Sequence, residues 1–220
     1  MGICNFGAPR KDIEFLKSLK ATDIFIETGT FKGETAAWAA QIFSRVITIE
    51  GLEENYLESK RNLAHLNHVE CFHGDSRDVL PQVLEQIGGK PALFWLDAHW
   101  MPGAFGKSAE CPIFDELKYI RKTSPDHIIL IDDARYFLAP PPQPHEASDW
   151  PTIGDVINFL NAGGAEPLYT VVQQDVVYSV PESMRKAARD YFQIKATEEM
   201  NAHYAKPHPL EKLARRLVGR

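Results

Sequence analysis

Cysteine is scarce in this 220-residue chain: Cys4, Cys71 and Cys111 are widely spaced and odd in number. No CxxC pair exists, so a thiolate metal knot is excluded and a disulfide framework is not expected. A reducing cytosolic setting follows from that usage. Long apolar runs are missing too, and nothing approaches the roughly 20 residues that span a bilayer. The first residues, MGICNFGAPRKDIEF, hold no apolar stretch of the secretory kind. Position 6 is Phe6 where a myristoylation signal needs Ser or Thr. Positive charge is in deficit, with a net −6, so a general electrostatic drive toward nucleic acid is not expected. These absences lead to the expectation of a cytoplasmic protein with no transmembrane segment and no nucleic-acid partner.

Hydrophobic residues make up 44% and charged residues 25%, which is ordinary globular composition and rules against disorder. The length suits one full-sized domain. Charge is uneven: residues 185–220 hold nine Lys/Arg against four acids, a +5 tail that leaves −11 on the rest. We therefore divide the chain into a domain over 1–181 and a basic helical extension over 182–220.

Short apolar runs alternate with helical stretches, the signature of βαβ units. Strands are expected at Asp23–Glu27, Val46–Glu50, Val69–Phe72, Ala92–Asp97 and His127–Asp132. Helices are expected at Gly33–Ser44, Glu53–Leu66 with Leu57, Leu63 and Leu66 near one face, Val79–Ile87, Pro112–Arg121 and Thr152–Leu160. The prolines of Ala139–Pro151 exclude a regular helix or a central strand there. Leu168–Gln173 and Val176–Val180 flank Gln174-Asp175 and read as a hairpin. The predicted fold class is α/β, a Rossmann-like doubly wound sheet of about seven strands, mostly parallel with an antiparallel terminal hairpin.

The first strand runs into Glu27-Thr28-Gly29-Thr30-Phe31-Lys32-Gly33-Glu34-Thr35. Gly29 and Gly33 bracket a tight turn where backbone can approach a ligand. The E-x-G-x-x-x-G spacing is not the G-x-G-x-x-G that cradles a pyrophosphate. Glu27 would repel a phosphate and suits an amine-bearing ligand. Glu50 ends the second strand, where an acid accepts from ribose hydroxyls. Gly74-Asp75-Ser76 follows the third strand, and Asp75 can accept from an adenine amine. Together these acids describe a site for a nucleoside with a cationic tail, with Thr28, Thr30, Thr35, Gly51 and Ser76 beside them as further contacts.

Strand four ends in Leu96-Asp97-Ala98-His99-Trp100 and strand five in Ile131-Asp132-Asp133-Ala134-Arg135. Ligands of open α/β sheets bind at the carboxyl ends of strands, so Asp97, Asp132 and Asp133 should converge. Carboxylates brought together raise one another's pKa unless a cation joins them, and oxygen ligands favour Mg²⁺, Mn²⁺ or Ca²⁺. The alternative is that Asp132 and Asp133 only cap their loop and that Asp97 binds cofactor or acceptor without metal. His99 lies two residues past Asp97 and is the candidate base; the alternative is a structural histidine. Phe94, Trp95, Trp100 and Phe105 are candidates for an acceptor platform, and Arg135 and Tyr136 for holding an anionic acceptor group. The segments Met101–Glu110 and Ala139–Pro151, the latter with His145, Asp149 and Trp150, are candidates for acceptor recognition.

Over roughly residues 20–180 the chain resembles class I S-adenosylmethionine-dependent methyltransferases, with ETGTFKG, VITIE and GDS as the matching motifs. The resemblance implies methionine contacts at Glu27 and Gly29, a ribose contact at Glu50 and an adenine contact at Asp75. LDAHW followed by IDDAR further resembles metal-dependent sugar O-methyltransferases of the macrocin O-methyltransferase type. That implies metal ligation by Asp97, Asp132 and Asp133, and a small-molecule or glycan acceptor. The base of that family is an Asp two residues beyond the first ligand; His99 stands there in this chain. The competing readings are a metal-independent small-molecule methyltransferase, an NAD(P)-dependent reductase, a non-catalytic binding module and a nucleic-acid methyltransferase.

The end of the chain, PLEKLARRLVGR, places Leu210, Leu213, Leu217 and Val218 at helical spacing among Lys212, Arg215, Arg216 and Arg220. One expectation is a helix docked on the domain or on a second copy, giving a homo-oligomer. The other is a contact with an anionic membrane surface or a glycan-assembly partner.

Overall fold

Parallel strands in one register carry the molecule. The computed structural model describes residues 7–99, 110–162, 164 and 166–204. Strands β1 (Ile24–Thr28), β2 (Arg45–Glu50), β3 (Val69–His73), β4 (Ala92–Leu96) and β5 (Ile128–Ile131) pair in parallel. The hairpin of β6 (Leu168–Gln173) and β7 (Val176–Pro181) joins through β7, antiparallel to β5. The order is β3-β2-β1-β4-β5-β7-β6. This is the expected Rossmann-like sheet, seven-stranded and mostly parallel, with the antiparallel hairpin at one edge.

Side-chain parity explains the two covered faces. Ile26, Ile47, Ile49, Phe94, Leu96, Ile129 and Ile131 share one core with residues of α4 (Ser76–Ile87), α5 (Ile113–Thr123) and α7 (Ile153–Ala162). The alternate residues Phe25, Val46, Leu93, Trp95, Ile128 and Leu130 are equally buried. On that second face Phe25 meets Phe43, 5.2 Å between ring centres, beyond the end of α2 (Glu34–Ala39). Tyr178 of β7 donates to Asp12 of α1 (Arg10–Leu19). Burial on both sides is why these strands read as unbroken apolar runs. Each buried Ile or Phe contributes about 1.5–3 kcal/mol.

Some elements depart from expectation. Helix α1 and the short α6 (Ala134–Leu138) lie where no helix was expected. The helix α3 (Glu53–Leu63) stops short of Leu66, and Leu57 is 47% exposed; only Leu63 of the three leucines is buried. Helix α4 starts three residues early because Asp75 caps it, accepting from the Arg77 amide at 2.9 Å.

Two compact units emerge, Met1–Arg185 and Lys186–Arg220. The second consists, within the described residues, of most of α8 (Arg185–Tyr204). The amphipathic segment 209–220 lies outside the described residues. No helix among the described residues is long and apolar enough to cross a membrane.

Candidate active site

The parallel register brings four strand ends to one level. Thr28 pairs with both Ile49 and Leu96, and Leu96 pairs with Ile131. The residues that follow, Gly29, Glu50, Asp97 and Asp132, therefore emerge along one edge. Strand order reverses between β1 and β4, which opens a crevice there. A cleft of about 490 Å³ occupies that place, lined by Gly29, Glu50, Gly51, Asp75, Ser76, Asp97 and His99 among others.

Gly29 makes the crevice close at its base. Its φ is +89°, and a Cβ there would sit 2.3 Å from the Asp97 carbonyl oxygen. Only glycine lets the β1 turn lie against the end of β4. Gly33, also at positive φ, begins α2 against Leu63.

Glu50 is 4% exposed, and both its oxygens are held: Phe31 N–H donates to Oε2 at 2.7 Å and Leu52 N–H to Oε1 at 2.9 Å. One carboxylate thus pins the loops after β1 and β2. Glu27 is 1% exposed and accepts from Thr48 Oγ1 at 2.6 Å, and Thr48 meets Thr30 Oγ1 at 2.5 Å. Burial pushes its carboxyl up to about 8, against hydrogen bonds from Thr48 and Thr35. Asp75 lines the cleft while ion-paired with Arg77, 2.6 Å from Nη2. Burial opposes its charge, but the Arg77 hydrogen bonds prevail and hold it below the usual range.

The acids after β4 and β5 separate into two groups sharing Asp133. Ligand atoms of Asp97, His99 and Asp133 lie within 4.8 Å of one another, as do those of Asp132, Asp133 and Asp175. The sequence-derived trio of Asp97, Asp132 and Asp133 is not one of the groups found among the described residues. Asp132 instead accepts from the Asp133 amide at 2.8 Å. Asp97 is pushed well above the carboxylate range, first by burial and then by the charges of Asp132, Asp133 and Glu27. Asp132 is raised by burial and by Asp133.

His99 is 7% exposed, and neither ring nitrogen has a hydrogen-bond partner among the described residues. Its ring packs against Phe137 and Trp150, 5.7 and 5.4 Å between centres. Nδ1 lies 3.9 Å from Asp133 Oδ2. Burial drops its pKa to about 4, so it is neutral at pH 7.

The loop 139–151 is fastened beside His99 by Glu110, which accepts from Trp150 Nε1 at 3.0 Å and the Glu146 amide at 3.1 Å and pairs with His145. Phe94 and Trp95 are fully buried in β4, which removes them from an acceptor platform. Trp100 and Phe105 lie outside the described residues. Arg135 is engaged by Asp133 and Asp175 rather than open to an anionic group.

Two residues of the site escaped the sequence reading. The sequence pattern reads Asp175 only as part of a hairpin turn; the β5–β7 pairing carries it to the start of α6, where its carbonyl accepts from the Ala134 amide. Glu116 of α5 is 1% exposed beside Ser76 and Thr28, and burial pushes it up to about 7. Its signal was present: it falls on the same face as Ile113, Leu117 and Ile120, a polar residue in a core stripe.

No family model matches this sequence, and no curated protein matches it. Solved structures match in fold. An O-methyltransferase from Bacillus cereus in complex with SAH superposes with TM-score 0.53 at 18% identity, over 80% of this chain and 82% of that one. A caffeoyl-CoA O-methyltransferase candidate from Staphylococcus aureus gives TM-score 0.58 at 15% identity, over 81% and 86%. A methyltransferase candidate from Streptococcus mutans in complex with SAH gives 0.53 at 12%, over 80% and 99%. The chain has the fold of these proteins.

Proposed function

We propose that this chain is an S-adenosylmethionine-dependent O-methyltransferase acting on a hydroxyl of a sugar, glycoside or polysaccharide, with a divalent cation held by Asp97, His99 and Asp133. The observation that carries it is contiguity: Asp97 and His99 line the same cleft as Gly29, Glu50 and Asp75. A donor site and a group of ligand atoms share one wall.

In this reading Gly29 and Gly33, with Thr28, Thr30 and Thr35 around them, admit the methionine end of the cofactor close to backbone. Glu27 faces its amine, Glu50 and Gly51 its ribose, and Asp75 and Ser76 its adenine. Bound S-adenosylmethionine supplies a methyl group on a sulfonium, open to in-line attack by oxygen. The protein's task is to place the two reactants. SAH in two of the fold neighbours supports this choice over NAD(P).

The donor set fits a small divalent ion. Two carboxylates and a neutral imidazole converge, the imidazole has no hydrogen-bond partner among the described residues, and Asp97 is costly to ionise without a cation beside it. The imidazole shifts the preference from Mg²⁺ toward Mn²⁺. Such an ion, when bound, lowers the pKa of a hydroxyl. His99 is then a ligand, and its depressed basicity suits that role better than proton abstraction.

The test is methyl transfer from labelled S-adenosylmethionine to a panel of glycosides, with and without EDTA. We expect turnover that falls on chelation and returns with Mn²⁺ or Mg²⁺, and that Asp97→Asn abolishes while SAH binding persists. Full turnover in excess EDTA overturns the metal role. Tight NAD binding without SAH binding overturns the whole reading. His99→Ala is expected to lose Mn²⁺ affinity; unchanged affinity with a slower rate returns His99 to the role of base.

A further inference from the structure

Asp133 belongs to both acidic groups, and Arg135 decides how it is divided between them. The Arg135 guanidinium bonds Asp133 Oδ1 through Nη2 at 2.8 Å, and Asp175 Oδ2 through Nη1. The Arg135 amide also donates to Asp175 Oδ1 at 2.9 Å, and the Ala134 amide to the Asp175 carbonyl at 2.8 Å. Both Asp175 oxygens are therefore spoken for, and Asp175 is 2% exposed. The guanidinium also lies over the Tyr136 ring, 4.3 Å from its centre. What remains is Asp133 Oδ2, the oxygen 3.9 Å from the buried ring of His99, which has no hydrogen-bond partner among the described residues.

We infer that Arg135 is a positioning residue: anchored by Asp175, it holds one oxygen of Asp133 so that the other is presented to Asp97 and His99 as a preset cation site. This rests on the metal reading above. It places Asp175 outside the ligand set, in spite of its place in the second group, because both its carboxylate oxygens are already bonded by Arg135, whereas Asp133 keeps Oδ2. Asp133 needs such support. It sits at φ +57° as the residue before α6, a backbone state that L residues seldom adopt. Its side chain direction is therefore set by what grips it rather than by a helix or strand. A forked guanidinium fixes both distance and plane, which a lysine ammonium does not.

The sign of one effect separates positioning from charge. By Coulomb attraction and repulsion alone, removing a cation near a metal site tightens cation binding. If Arg135 presents Asp133, its removal loosens binding, by about 10–100-fold for an outer partner of a ligand. The experiment is Mn²⁺ titration of the full chain, read by the electron paramagnetic resonance of free Mn²⁺, for wild type, Arg135→Gln and Arg135→Lys, with SAH calorimetry as the check on fold. We expect both variants to bind Mn²⁺ at least tenfold more weakly while SAH affinity holds. Arg135→Lys keeps the charge, so its loss reports the fork itself, and it stands as the test should Arg135→Gln not fold. Equal or tighter Mn²⁺ binding in the variants overturns the inference and leaves the metal reading standing. No Mn²⁺ binding by any of the three overturns both.

Discussion

Glu27→Gln is the most informative single change in the molecule. Glu27 is fully buried at the end of β1, and its carboxyl titrates near 8 where an unfolded chain gives about 4.5. The folded protein therefore keeps a proton that the unfolded chain has lost. With the folded pKa raised, the stability contribution is present in full below 4.5 and is lost as pH rises toward 8. At pH 7 the gap is about 2.5 pH units, or about 3 kcal/mol at 1.36 kcal/mol per unit. Glutamine keeps the shape and can still accept from Thr48, and it has nothing to ionise. The variant should thus be about 3 kcal/mol more stable than wild type at pH 7 and nearly equal to it at pH 4.5. Asp132 is raised as well, but it remains in both proteins and largely cancels in the difference; Asp97, which the Glu27 charge helps to raise, ionises more readily in the variant, which adds to the variant's gain on the alkaline side. Urea unfolding of both proteins at half-unit steps from pH 4.5 to 8 measures this directly. If Glu27 meets the cofactor's amine, the same variant binds SAH more weakly, and wild-type binding releases a proton near neutral pH. Parallel stability profiles for the two proteins would refute the burial argument. Unchanged SAH affinity would remove Glu27 from the cofactor role and leave the stability result untouched.

Other expectations are simpler. Glu50→Ala should weaken SAH by roughly 1.5–3 kcal/mol, the scale of a lost hydrogen bond to a charged group, and unchanged calorimetric affinity excludes it from the ribose. Gly29→Ala forces a Cβ to 2.3 Å from the Asp97 carbonyl at φ +89°, so cofactor binding should be lost and the melting temperature lowered; a wild-type melt and affinity would contradict the close approach. His127 is buried, accepts from the Ala92 amide at Nδ1 and meets Thr123 at Nε2. Burial depresses its pKa to about 4. Because the unfolded chain protonates first, stability is lost as pH falls from about 6.5 to 4, by up to about 3 kcal/mol. In His127→Asn that acid-side slope should flatten in the same urea titration.

What the sequence determined alone was set by local rules. Five parallel strands and a hairpin were legible because strands buried on both faces must be apolar throughout, and because Gly33, Gly88 and Gln174-Asp175 punctuate them. The candidate cofactor residues were legible for a related reason: in a parallel sheet the carboxyl ends share one edge, so Gly29, Glu50, Asp75 and Asp97 could be placed from strand order. Tertiary structure alone decided how the acids divide. Asp132 and Asp133 are neighbours in sequence, yet one binds backbone and the other turns toward His99, because Asp133 sits in a left-handed conformation that no pattern encodes. Asp175 arrives from 40 residues beyond Arg135 through the antiparallel pairing of β7 with β5, and its meaning exists only in that contact. The same holds for Phe94 and Trp95: residue type admitted them to an acceptor wall, and burial in the central strand assigned them to the core. Sequence carries the period of an element and the end of a strand; which side chain meets which across the fold depends on register and backbone angle, and those are settled only when the sheet closes.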